Sequence, residues 1–221
     1  MDFKSIFYNY LNLKYEKRFL RILTLKLLED NIEQAYYIIE EINQKAPLIF
    51  ESYIKNNKTS DKLSIMHIRI ACFFLSVYSS LRICYKEKES LLKLLEDISS
   101  QIFYKEIKFL LKISFLFSKN KLIAIWNYFI LLQPFLIKLL FSDCVRLEKD
   151  YQNQKIHIII KPEIYSTFFE KHKSEFLTLS LLSYFDALIK VIEKNFDQLL
   201  IEKKEDLSNF SISYLIYYKS K

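Results

Sequence analysis

The stretch VRLEKDYQNQKIHIII, residues 145–160, decides the fold class. Val145 and Leu147 alternate with Arg146 and Glu148, and Ile156, Ile158 and Ile160 follow at period two, with His157 and Ile159 opposite. Successive strand side chains point to opposite faces, so this spacing predicts two strands, each with one face on a core. Tyr151-Gln152-Asn153-Gln154 between them predicts a turn. It lacks the Asn-Gly pair of tight hairpins, so the loop should be longer or open. Pro162 ends the second strand.

The same period returns near the C-terminus. Leu199 and Ile201 predict a short strand, Glu205 to Ser208 a turn, and Phe210, Ile212, Tyr214, Ile216 and Tyr218 one face of a final strand. Between the two pairs, residues 163–196 have a helical pattern that breaks near His172 to Ser174. About four strands with an intervening helix predict a small antiparallel sheet, one face packed on helices.

Upstream the period is helical. Phe3, Phe7, Tyr10, Leu11, Phe19, Leu20, Leu23, Leu27 and Leu28 place apolar residues near i, i+3, i+4 over residues 2–29. Asp30 followed by Glu33 predicts a capping box opening a second helix through Ile42. Pro47 fits the first turn of a short helix ending near Asn56. Residues 56–61 read as a loop and 63–84 as a core helix. Further helices are predicted over 87–100, 102–118 and 121–141, the last bent at Pro134. The class is α+β, predominantly α: one domain of residues 1–221, with a helical portion (1–141) and a portion of two hairpins flanking a helix (142–221).

Composition removes several functions. The 221 residues contain no glycine, so there is no phosphate-binding P-loop, dinucleotide fingerprint, nucleophile elbow or EF-hand loop, each of which needs glycine's backbone freedom. The strong bias to Phe, Ile, Lys, Asn and Tyr is that of an AT-rich coding sequence. Cys72, Cys84 and Cys144 are odd in number and widely spaced. They suggest neither a disulfide framework nor a zinc site, and point to a reducing, cytoplasmic location. The N-terminus lacks the order of a secretory signal. The uncharged runs 70–81 and 122–137 are shorter than the roughly 20 residues of a membrane span. The net charge of +7 comes from lysines spread along the chain, which argues against a nucleic-acid surface, since such surfaces gather their basic residues.

Catalytic patterns are mostly absent. His67, His157 and His172 are far apart, with no partner at metal-ligand spacing, so no metal and no cofactor is expected. Convergent polar residues occur in one place. Ser180, Ser183 and Asp186 stand on one predicted helix, and Ser183 and Asp186, three apart, share a face. They read either as the polar floor of a pocket or as small and rim residues of a packed helix. A serine needs a general base, and no histidine is near in sequence.

The segment 155–214 resembles the L-2-amino-thiazoline-4-carboxylic acid hydrolase-like family, within a broader similarity of feature order over about 40–218. The strand Lys155–Lys161 leads into Glu163-Ile164-Tyr165. Ser183-Tyr184-Phe185-Asp186 stands where the family shows Cys-x-x-Asp, and Ser208-Asn209-Phe210 where it shows Cys-Asp-Phe. The resemblance implies a helical region joined to a small sheet, and a site at Ser183 and Asp186 with Ser180, Ser208, Asn209 and Tyr165 around it. Both motif cysteines are serine here, which implies that the thiol chemistry is lost.

The function expected from these readings is a non-catalytic binding or interaction domain, taking a small apolar ligand or a protein partner. The alternatives are a hydrolase of a small carboxylated substrate using Ser183 and Asp186, and a peripheral membrane or nucleic-acid binder. Oligomeric state is not readable from the sequence.

Overall fold

In a computed structural model, the structure describes residues 3–57, 62–116, 118, 120–129, 145–150, 152, 154–161, 163–174, 177–178, 183–206 and 211–219. The chain is α+β and mostly helical, with a four-stranded antiparallel sheet towards its C-terminal end. The helices are α1 (Phe3–Glu29), α2 (Ala35–Asn56), α3 (Lys62–Leu81), α4 (Lys88–Leu116), α5 (Lys121–Asn127), α6 (Glu163–Lys171) and α7 (Ser183–Asn195). The strands are β1 (Val145–Asp150), β2 (Lys155–Ile160), β3 (Leu199–Asp206) and β4 (Ser211–Tyr218). Backbone contacts divide the chain into two compact units. One is Met1–Ile102 with Ile164–Leu181, the other Phe103–Glu163 with Leu182–Lys221.

The first unit is a helical assembly. Tyr15, Phe19, Leu23 and Leu27 recur every four residues along α1 and are all buried, the stripe that helical geometry lines up on one face. They share a core with Ala35, Ile38 and Ile42 of α2 and with Phe73, Phe74 and Val77 of α3. Phe19 sits at its aromatic centre, edge-on to Phe73 and Phe74 with ring centroids 5.4 Å from each.

The second unit holds the sheet, in the order β1-β2-β4-β3. Cross-strand partners Ile158 and Tyr214, and Ile156 and Ile216, put the buried residues of β2 and β4 on the same face. The period-two reading of both hairpins is therefore the observed one. Buried Phe185, Leu188, Val191 and Ile192 give α7 its apolar stripe. The edge strands β1 and β3 are rich in charge, as VRLEKD and LLIEKKED show, and charge discourages pairing with further chains.

Several element boundaries differ from the sequence expectation. No capping box opens α2. Asn31 instead takes a left-handed φ of 56°. Ile32 N–H donates to Leu27 O at 2.9 Å and Asn31 N–H to Leu28 O at 3.1 Å, the paired bonds of a Schellman motif that ends α1. The helix α2 starts four residues later, its N-cap Gln34 making no side-chain cap bond. Pro47 lies inside α2 rather than opening a separate helix. Interior proline costs about 3 kcal/mol, and tertiary packing offsets this: Ile42 is buried before the proline, and after it Tyr53 packs on Phe168 at 5.1 Å. The expected pair of helices over 87–118 is the single helix α4, because no proline or glycine interrupts residues 100–103. The strand β3 runs through Asp206, so Glu205 belongs to the strand and not to the turn. The expected bend at Pro134 and the strand residue Phe210 lie outside the described residues.

The break near His172 is present, and it shows how a chain without glycine closes a helix. Lys173 takes φ 52°, with Ser174 N–H donating to Phe169 O at 2.9 Å and Lys173 N–H to Glu170 O at 3.0 Å. This is a second Schellman motif, its left-handed position filled by lysine. Gln154 holds a third such φ, 49°, at the end of the β1–β2 loop. A side chain with a Cβ pays about 1–2 kcal/mol in this region, partly offset by glycine's greater entropy in the unfolded chain. Lys173→Gly should therefore stabilise the protein by about 1 kcal/mol, or about 3 °C in melting temperature. An unchanged or lower melting point would count against this account of the cap.

Candidate functional site

Asp186, the acidic residue singled out by sequence, lies one turn into α7 beside the β3–β4 hairpin. Its Oδ1 accepts a hydrogen bond from the Tyr214 hydroxyl at 2.8 Å and lies 3.0 Å from Lys203 Nζ. Lys203 also reaches Glu205 Oε1 at 2.6 Å, and its ammonium stands 5.9 Å from the Tyr214 ring centre. The geometry follows from register. Lys203 pairs with Tyr214 and Glu205 with Ile212, so both charges fall on the face that carries the buried Tyr214 and Ile216.

Burial and hydrogen bonding hold the protons of Tyr214 and Lys203 in place. Burial raises the Tyr214 phenol well above its ordinary value, and the Asp186 carboxylate beside it adds to this. Burial would lower the Lys203 ammonium, but the bonds to Glu205 and Asp186 outweigh it and hold it above the ordinary value. The lysine stays charged and the tyrosine neutral, so neither serves as a general base.

Ser183 opens α7, but its side chain lies outside the described residues, as do Ser180, Ser208 and Asn209. Among the described residues, the partners of Asp186 include no histidine. Tyr165 belongs to the other compact unit, where it is buried with its ring edge-on to His67 at 5.6 Å. His157 Nδ1 stands 3.7 Å from Glu148 Oε2 across β1 and β2, and His172 packs on Phe168 at 4.6 Å. Among the described residues no group of three or more His, Cys, Asp or Glu side chains could hold a metal. None of their helices is long and apolar enough to cross a membrane.

A cavity that sequence reasoning missed lies in the helical unit. It measures about 320 Å³ and is bordered by α1, α2 and α3. Ile42, Ala46, Pro47, Phe50 and Phe73 supply apolar walls. Glu16 and Arg69 supply an ion pair, Arg69 Nε donating to Glu16 Oε1 at 3.3 Å. Burial raises the Glu16 carboxyl above the usual range even though Arg69 pulls it down. Apolar walls with a few placed polar groups are the usual make-up of a small-molecule site. The signal present in the sequence was Pro47 within a helical pattern. A local reading of it as a helix start concealed the cavity.

No known protein family matches the chain, and no characterised protein or solved structure shows significant similarity to it.

Proposed function

We propose that this protein is a non-catalytic binding domain, with the α1–α2–α3 cleft as the seat of a small, mainly apolar ligand. The observation that carries this reading is the cavity of about 320 Å³ with its apolar wall and single ion pair. The engagement of Asp186 by Tyr214 and Lys203 supports it from the other unit, since both donors give that carboxylate a structural task, tying α7 to the β3–β4 hairpin. In the same reading, the unpaired cysteine pattern suits a protein of the cytoplasm.

A ligand that binds only the native state stabilises it by mass action, by about 1.4 kcal/mol at roughly ten times its Kd. Phenethyl alcohol, a neutral probe with a ring for Phe50 and Phe73, should raise the melting temperature. Ala46→Phe, which fills the cleft, should abolish the rise while leaving a cooperative melt. A melting temperature indifferent to the alcohol counts against the cleft. Turnover of small carboxylated esters or amides, lost in Ser183→Ala, would replace the binding reading with the hydrolase alternative.

A further inference from the structure

The lining of the cleft also specifies a class of ligand. Glu16 commits Oε1 to Arg69, and its Oε2 has no partner among the described residues. Glu51 borders the same cavity and has no partner among them either. Asn43, also on the border, precedes Pro47 by one helical turn. Proline has no N–H, so the Asn43 carbonyl lacks the donor that α-helical geometry would give it. Two carboxylates, Glu16 and Glu51, thus share the border of the cavity with a single guanidinium. Formal negative charge exceeds positive on this border, in a chain whose overall charge is +7.

This imbalance discriminates between ligands. An anion would meet two carboxylates to reach one arginine already paired. A neutral apolar molecule would leave Glu16, with only 16% of its side chain exposed, further from water and without a second donor, which is costly for a charge. A cation supplies the missing donor. The raised Glu16 carboxyl agrees, since Arg69 alone does not compensate for its burial.

We infer that the cleft takes a protonated amine on a small apolar body. The ammonium donates to the Glu16 and Glu51 carboxylates, and the body lies against Phe50 and Phe73. This rests on the reading of the cleft as the ligand seat, and the test separates the two.

The full chain is titrated calorimetrically at neutral pH with phenethylamine, phenethyl alcohol and hydrocinnamate, which share a phenyl body and differ in head group. A charge-assisted hydrogen bond makes the amine bind about tenfold more tightly than the alcohol, with the carboxylate weakest. Glu16→Gln brings the amine down to the level of the alcohol and leaves the alcohol unchanged. Equal affinities for amine and alcohol in the unaltered protein overturn the amine and leave the cleft standing. Binding of none of the three overturns the cleft and the inference with it. If Glu16→Gln fails to fold, Glu51→Gln at an exposed position decides. An amine preference reduced in that variant, and weakened by about 0.5 M salt, supports the inference. A preference unchanged by both overturns it.

Discussion

Phe19→Ala is expected to cost about 4 kcal/mol of folding free energy, the largest loss of any substitution considered, because it opens a cavity in a closely packed aromatic cluster. Phe19 has no exposed surface. Its ring meets Phe73 edge-on at 89° and Phe74 at 64°, with Tyr15 at 6.2 Å, and such contacts add about 0.5–1.5 kcal/mol per pair beyond area burial. For a chain of this length the melting temperature should fall by about 10 °C. The effect should extend to binding. Phe73 borders the cleft, and without Phe19 behind it the ring loses a support. Affinity for an aromatic ligand should therefore drop in the surviving folded fraction. Urea unfolding gives the first quantity and calorimetry on folded protein the second. A stability loss under about 1 kcal/mol would show that the core collapses onto the gap.

Asp186→Ala should cost about 2 kcal/mol, the second largest effect. It leaves the buried Tyr214 hydroxyl without its acceptor and Lys203 with Glu205 alone. Most of the cost belongs to the stranded phenol, since Asp186 and Lys203 are both partly exposed and such ion pairs are screened. Tyr214→Phe, which removes the donor instead, should cost about half as much. A Tyr214→Phe variant less stable than Asp186→Ala would contradict this ordering.

The same cluster predicts an alkaline limit to stability. The native phenol of Tyr214 keeps its proton above its ordinary value of about 10, whereas the unfolded chain releases it there. The native state then binds more protons, so stability is complete below about pH 10 and falls as pH rises further. The raised Lys203 ammonium acts in the same direction. Stability measured against pH should fall less steeply above about pH 10 in Tyr214→Phe than in the unaltered chain. Parallel curves would remove Tyr214 from the account.

Resistance to turnover is a separate matter from stability. If Asp186 were the orienting acid of a hydrolase, its substitution would abolish activity at little structural cost. The reverse pattern is expected here, because its carboxylate ties α7 to the β3–β4 hairpin. Cys72, on α3, is no candidate nucleophile, because burial pushes its thiol up to about 12 and so keeps it protonated.

The residues 145–160 and 199–218 determined the sheet by themselves. Side-chain alternation is a local property, and a period of two with one apolar face is compatible with little else. The apolar spacing that includes Phe19, Leu23 and Leu27 determined α1 in the same way, and the absence of glycine excluded whole classes of phosphate and elbow sites before any folding was considered. Local rules failed where a local signal competed with distant packing. Asp30 and Glu33 satisfy a capping pattern, yet the chain closes α1 through Asn31. Pro47 suits a helix start, yet α2 runs through it because apolar residues on both sides are held by other elements. The partnership of Asp186 with Tyr214 and Lys203 depends on strand register, which pairs residues far apart in the chain. The cleft is further still from any local rule. Glu16, Glu51 and Arg69 come from three helices, and their convergence is set by how those helices pack, a quantity that no single segment encodes.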